Sequence, residues 1–176
     1  MVSEIEYRFF RPLGQMDEKK IDSLAGRLLN DYLYVSDENR DAKKVWAMLY
    51  RIFSGEPGMG IHVAYEIGEF DGLLIFRDVL PGFKCDVSLK YWNDYNFGKE
   101  IVREGRRLVE EFAAGGKLVR MNSETADPRV VKLSKLVGFE TEGVRKDDFM
   151  WNGKLYDKFM LGRNFPVFPD SSPRGV

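Results

Sequence analysis

Three places in this chain combine residue type and spacing in a way that can do chemistry: a pair of carboxylates across a hairpin, a glycine turn ahead of a long helix, and an aspartate just before a proline. Asn152-Gly153 lies between two apolar-rich runs, the strongest short-range hairpin signal. A two-residue turn there sets Trp151 opposite Lys154, Phe149 opposite Tyr156 and Asp148 opposite Asp157. Facing carboxylates repel, which raises the pKa of one and makes a base or a cation site; alternatively, nearby Lys146 and Lys158 compensate them. Upstream, Asn96-Phe97-Gly98-Lys99-Glu100 leads into a helix. Such a turn offers free backbone N–H groups and the positive end of the helix dipole, a seat for phosphate. Gly98 permits close approach and Lys99 adds charge, whereas Glu100 either repels an anion or merely complements its own helix. Asp127 before Pro128 reads as an N-cap carboxylate followed by a first helical residue with no need of its N–H.

His62 and Cys85 are the only residues of their types. One cysteine excludes an intramolecular disulfide and a multi-cysteine metal site, and one histidine builds neither a metal cluster nor a Ser-His-Asp system. Both read as strand residues. Phosphate-loop, dinucleotide-glycine and zinc-ligand spacings are absent from the sequence, so no metal is expected.

The elements that must position these residues follow from periodicity. Ile5 to Phe10 reads as a strand. Asp17 to Leu33 reads as a helix with Ile21, Leu24, Ala25, Leu28 and Leu29 on one stripe, and Asp41 to Phe53 as a second with Val45, Met48, Leu49 and Ile52. Ser54 to Gly60 is a loop. Strands Ile61–Ile67, Gly72–Val79 and Phe83–Trp92 form a meander. A long helix runs from Lys99 to Ala114. Then come a strand at Leu118–Met121, a helix ended by Gly138 with Phe139 as the apolar contact after it, and the hairpin. The order βααβββαβαββ predicts one α+β domain over residues 1–163, with helices on both faces of a central mixed, mostly antiparallel sheet. The proline-containing stretch 164–176 reads as an extended or disordered tail.

The 176 residues are 44% hydrophobic and 31% charged, enough for one core. A net charge of −1 gives no global attraction to nucleic acid or anionic membrane, so neither is expected as a partner. No segment approaches the apolar length of a membrane span, and the start has no signal-peptide pattern. With one cysteine, a reducing cytoplasmic location is the expectation.

The segment from Asp127 to Arg163, DPRVVKLSKLVGFETEGVRKDDFMWNGKLYDKFMLGR, resembles the end of the GNAT acyl-CoA N-acyltransferases, and most of all their ribosomal-protein N-terminal acetyltransferase-like branch. Weaker similarity reaches back to about Gly60. The resemblance implies a GNAT-like fold in which the fourth and fifth strands, Phe83–Trp92 and Leu118–Met121, splay to admit acyl-CoA. It implies an acetyl-CoA-dependent N-acetyltransferase that passes an acetyl group directly to a primary amine, on a protein N-terminus or a small molecule, as a monomer or homodimer. The cofactor residues it implies are Leu89, Tyr91 and Trp92 along the fourth strand, Phe97, Gly98, Lys99 and Glu100 at the helix start, and Asp127 at the position of a family asparagine. Tyr91 and Trp92 also read as ordinary sheet aromatics, and Asp127 as a plain cap.

Direct transfer needs a base for the amine, for which the strand carboxylates Asp86 and Glu66 are the candidates. Ser134 occupies the position where many members carry a tyrosine acid, and Tyr156 is a second possible donor to the thiolate. The chain departs from the family's phosphate loop by placing Tyr95 where Arg or Gln belongs and Glu100 where a second small residue belongs. Those departures and Ser134 support a competing reading, a GNAT-fold binding or structural module without cofactor affinity. A longer acyl donor is a third reading. Asp147, Asp148 and Asp157 suggest a cationic acceptor.

Overall fold

The computed structural model describes residues 7–31, 35–54, 60–69, 71–92 and 98–167. Seven strands form one sheet: β1 (Phe10–Leu13), β2 (Val63–Ile67), β3 (Gly72–Leu80), β4 (Lys84–Tyr91), β5 (Arg120–Thr125), β6 (Glu140–Trp151) and β7 (Lys154–Asn164). Four helices accompany them: α1 (Glu18–Leu29), α2 (Ala42–Phe53), α3 (Lys99–Gly115) and α4 (Pro128–Leu136). The order is the predicted βααβββαβαββ, with one 3₁₀ turn at Asp37–Asn39 between α1 and α2. Across the sheet the strands run β1-β2-β3-β4-β5-β7-β6, and β4/β5 is the parallel pair among antiparallel neighbours.

Central β3 explains the layering. Gly72 to Phe76 are all buried, because both faces of the strand are covered. Leu73 and Ile75 pack with Ile21 and Leu28 of α1 and Leu49 of α2. Leu74 and Phe76 pack on the other face with Leu108 and Val109 of α3. The same alternation sends Cys85 and Val87 of β4 toward α3, and so sends Asp86 and Ser88 to the α1/α2 face.

Three aspartates start helices by accepting backbone N–H bonds. Asp17 accepts from Lys20, Asp41 from Lys43 and Lys44, and Asp127 from Arg129. They are caps, so the first two helices begin one residue later than expected. At the far end of α4, Gly138 takes φ +95° and the Phe139 N–H donates to Ser134 O at 3.0 Å, the closure that a left-handed glycine permits. Arg106 and Arg163 donate to the last carbonyls, Leu136 O at 2.9 Å and Val137 O at 2.5 Å.

Several expected boundaries move. The first described strand is Phe10–Leu13, and of the expected Ile5–Phe10 the residues Tyr7 to Phe9 precede it while Ile5 and Glu6 lie outside the described residues; Pro12 fits because β1 is an edge strand, where one side needs no N–H donor. Helix α1 stops at Leu29, capped by Asn30. Strand β5 is Arg120–Thr125 rather than Leu118–Met121. Pairing to β7 runs on to Thr125↔Phe159, so backbone hydrogen bonds extend the strand past its apolar residues. Asn164 ends β7, and the Phe165 N–H donates to Val119 O at 2.9 Å, which ties the start of the expected tail to the sheet.

The hairpin turn forms as read, with φ +49° at Asn152 and +69° at Gly153, both values a type I′ turn requires. Trp151 faces Lys154 and Phe149 faces Tyr156. Asp148 and Asp157 do not face each other: the register shifts between Phe149 and Arg145, which pairs with Lys158, and Asp147 turns at φ +53°. Lys146 lies 2.6 Å from Asp157 and Arg145 lies 3.6 Å from Asp148. The hydrogen bond from Lys146 is the main reason the Asp157 carboxyl sits below its ordinary pKa, against a smaller opposing effect of burial. The expected repelling pair is two separate ion pairs, because the bulge turns the carboxylates apart.

Candidate functional site

Strands β4 and β5 are joined over only three rungs, Lys84↔Arg120, Cys85↔Met121 and Asp86↔Asn122. Beyond them the two part, while β4 continues to Tyr91 and β5 to Thr125. Each keeps its outer partner, β3 or β7, so the edges facing the split offer backbone groups to an extended ligand. On the α3/α4 side the split opens into an apolar cavity of about 40 Å³ lined by Val87, Ile101, Gly105, Leu133 and Val137, with Ser123 and Ser134 as its hydroxyls. On the α1/α2 side lies a wider polar cleft lined by Lys44, Met48, Arg77, Glu124, Asp148 and Lys158. Leu89 and Ser123 line both, so the two spaces meet through the split.

Asp86 stands on the last paired rung, at the closed end of the split. It faces Arg77 across β3 and Asn122 across β5, and accepts from Asn122 Nδ2 at 3.4 Å. Glu66 is not brought there. It sits on β2 beyond β3, pairs with Arg11 at 2.7 Å, and borders a separate depression beside α1. Ser134 is buried on α4 and lines the apolar cavity. Tyr156 packs with Trp151, Phe149 and Ala126 in the hairpin.

Tyr91 and Trp92 part to opposite faces. Tyr91 reaches the α3 side and borders a depression shared with Gly98, Glu100, Arg8 and Arg11. Trp92 packs toward α1, where the Arg27 guanidinium lies 3.9 Å over its ring. Gly98 caps α3 without a side-chain bond, and Lys99 begins it, exposed. The Glu100 carboxylate leans on Arg8 at 3.5 Å, so its charge is partly answered from β1's side. Tyr95, Asn96 and Phe97 lie outside the described residues.

Asp127 is 1% exposed and accepts from Arg129 Nη2 at 2.7 Å and Nε at 2.9 Å as well as from its backbone N–H. Burial pushes its carboxyl upward, but the Arg129 bonds outweigh it and hold the group below the ordinary range. Close by, Lys90 is buried and pairs with Asp31 at 2.9 Å, fastening the end of β4 to the end of α1.

Sequence reasoning missed Arg77, Ser123 and Lys44. Ser123 falls in the polar run that ends the expected strand too early; a polar run still held in a ladder is the signal for a strand that lines a cleft. Sequence reasoning also missed a clamp over the cleft. The Asp37 carboxylate accepts from the backbone N–H groups of Asn152 at 3.0 Å and Gly153 at 2.9 Å, and Arg40 donates to Asn152 Oδ1 at 2.5 Å. The hairpin tip is thereby tied to the α1–α2 connection, whose Ser36, Glu38 and Asn39 form a cleft wall.

The Gly153 N–H is the first cause holding Asp37 below its ordinary pKa; burial opposes it, and Asn152 and Arg40 reinforce it. A depressed carboxylate contributes stability that is full above the unfolded value of about 3.9 and is lost as pH falls through the lower folded value. The Gly153 amide proton shift should therefore titrate with a midpoint below that of an ordinary aspartate, and Asp37→Asn should abolish the step. A midpoint at or above the ordinary value would break the clamp assignment.

Cys85 is 1% exposed, and burial, helped by neighbouring Asp86, pushes its thiol up to about 12. The native protein should resist iodoacetamide at pH 8 and react only when unfolded, as mass spectrometry would show. Rapid native alkylation would mean that β4 opens readily. Among the described residues no group of three His, Cys, Asp or Glu side chains can hold a metal ion, and no helix is long and apolar enough to cross a membrane.

Solved acetyltransferases superpose on most of this chain. A RimL ribosomal-protein alpha-N-acetyltransferase in complex with coenzyme A superposes with a TM-score of 0.64 at 14% identity, over 90% of this chain and 95% of that one. Spermidine N-acetyltransferase from Vibrio cholerae, with CoA and spermine, gives 0.60 at 13%, over 90% and 96%. The microcin C7 self-immunity acetyltransferase MccE, with acetyl-CoA and AMP, gives 0.63 at 12%, over 90% and 94%. The chain has the GNAT fold. No protein-family profile matches the sequence, and no curated protein does. At these identities the likeness is one of fold alone, and substrate is a question for the site itself.

Proposed function

We propose that this protein is an acetyl-CoA-dependent N-acetyltransferase that transfers acetyl directly to a primary amine. The observation that carries the reading is the β4/β5 split, which joins an apolar cavity to a polar cleft with a carboxylate, Asp86, at its closed end. The fit of acetyl-CoA rests on three features. The parted edges of β4, at Leu89 to Tyr91, and β5 suit an extended amide-bearing arm. The lining of Val87, Ile101 and Val137 suits its apolar parts, and Gly105 leaves room there, since a Cβ on it would come within 3.1 Å of Phe10 Cζ. The Gly98-Lys99 start of α3 offers backbone N–H groups to phosphates. The narrow cavity must widen by side-chain movement at α3 and α4.

Acetyl-CoA supplies the activated acyl group. In the transfer, the amine nitrogen forms a bond to the acyl carbon and the C–S bond breaks. One amine proton leaves to Asp86, directly or through water, and the departing thiolate takes up a proton, for which Ser134 and Tyr156 are the candidates read from the sequence. Ser134 lines the cavity itself. Asp127 supports this site from outside as the cap of α4.

Titration of the purified protein with acetyl-CoA by calorimetry, alongside Glu100→Gly, tests the reading. Micromolar binding by the wild type is the expected result. Absence of wild-type binding together with its appearance in Glu100→Gly would favour the binding-module reading, in which a carboxylate at the head of α3 repels the pyrophosphate.

A further inference from the structure

We infer that the acceptor is a free α-amino acid with an apolar side chain, and that Arg77 is the residue that reads its carboxylate; this rests on the transferase reading above. The ion pairs at the cleft and in the hairpin beside it lead there. Glu124 is held by Lys158 at 2.6 Å and by Arg145 at 3.6 Å, and Arg145 also holds Asp148 at 3.6 Å. Asp157 is held by Lys146. Asp148 and Asp157 are therefore each paired with a cation of the hairpin itself, which weakens the case their sequence makes for a cationic acceptor. Lys44 donates to Glu38 O at 3.4 Å.

Arg77 differs from all of these. It lines the cleft, its Nε is buried, and among the described residues that Nε has no hydrogen-bond partner. A buried donor left unmade is costly, so its site favours an acceptor oxygen. A guanidinium suits a carboxylate above other acceptors, because its donors match the two oxygens. Directly opposite Arg77 in the β3/β4 register stands Asp86, whose one bond among the described residues is the 3.4 Å one from Asn122. Opposed residues on neighbouring antiparallel strands lie about 5 Å apart, the scale of an aminocarboxylate group. An ammonium at Asp86 and a carboxylate at Arg77 complement both, and the ammonium then meets the base that must deprotonate it. Among its polar lining the cleft also presents Val45, Met48, Val130 and Phe149, which suit an apolar side chain.

The test compares L-leucine, L-leucinamide and isoamylamine, which share a side chain and an amine but differ in the carboxylate. Binding is read by calorimetry with and without acetyl-CoA, and transfer by thiol release, for wild type, Arg77→Gln and Arg77→Lys. L-leucine is expected to bind at least about tenfold more tightly than either analogue. In Arg77→Gln that ratio should fall toward one, with partial recovery in Arg77→Lys. Equal affinities in the wild type, a ratio that survives Arg77→Gln, or no binding of any of the three would overturn the inference. If Arg77→Gln does not fold, the wild-type ratio of leucine to leucinamide decides. Failure of the transferase reading looks different: acetyl-CoA gives no heat and no thiol while the L-leucine preference persists.

Discussion

Asp86→Asn is expected to lower kcat for acetyl transfer by about 10²–10⁴-fold, the usual contribution of a positioned general base. The substitution keeps the size and planarity of the side chain, so the rung with Asn122 and the place opposite Arg77 survive. What is lost is the capacity to accept the amine's proton. Affinity for acetyl-CoA should change little, because Asp86 lies on the α1/α2 face of β4 while the apolar cavity lies on the other. Steady-state kinetics with parallel calorimetry separates the two. Glu66→Gln is the informative comparator: held by Arg11 on the far side of β3, Glu66 should matter far less to kcat. Undiminished turnover in Asp86→Asn would remove it as the base, and a larger loss in Glu66→Gln would reverse the assignment.

Phe76→Ala should cost about 3–5 kcal/mol of folding stability, the range for removing a buried phenylalanine. Phe76 is fully buried, stacks on Phe112 of α3 at 3.8 Å between ring centroids, and meets Tyr65 edge-on at 6.2 Å. It pairs with Val63 on one side and Val87 on the other, in the middle of the sheet. In a chain of this size each kcal/mol moves Tm by about 2–4 °C, so a drop on the order of 10 °C is expected in thermal unfolding. The effect should reach the site, because Val87 lines the cavity and α3 forms its wall. A loss below about 1 kcal/mol would mean that α3 settles into the vacated space.

How far the sequence reaches depends on whether a feature is local. The turn at Asn152-Gly153, the cap at Asp127 and the stop at Gly138 each depend on a few neighbouring backbone groups and are legible in the residues alone, whereas Asp17 and Asp41 read as first helical residues and prove to be caps. The order of the elements follows from hydrophobic period. Strand ends are less legible, because a ladder is made by its partner: β5 runs through Asn122-Ser123-Glu124-Thr125 since β7 pairs with it. Asp148 and Asp157 would face each other in a regular hairpin, and a bulge no local signal announced turns them apart.

By itself, then, the sequence determined the α+β order, the stop at Gly138 and the closing hairpin turn, set by short-range chemistry and periodicity, and it carried the GNAT resemblance in the residues from Asp127 to Arg163. Only the tertiary structure decided the candidate site: that β4 and β5 part after Asp86↔Asn122, that Glu66 stays away while Asp86 comes to the split, that Asp37 holds the hairpin tip, and that Arg77, whose Nε has no hydrogen-bond partner among the described residues, stands opposite Asp86. These are long-range juxtapositions. They depend on which strands pair and in what register, and pairing is fixed by the burial of the whole sheet between its two helix layers rather than by any one segment.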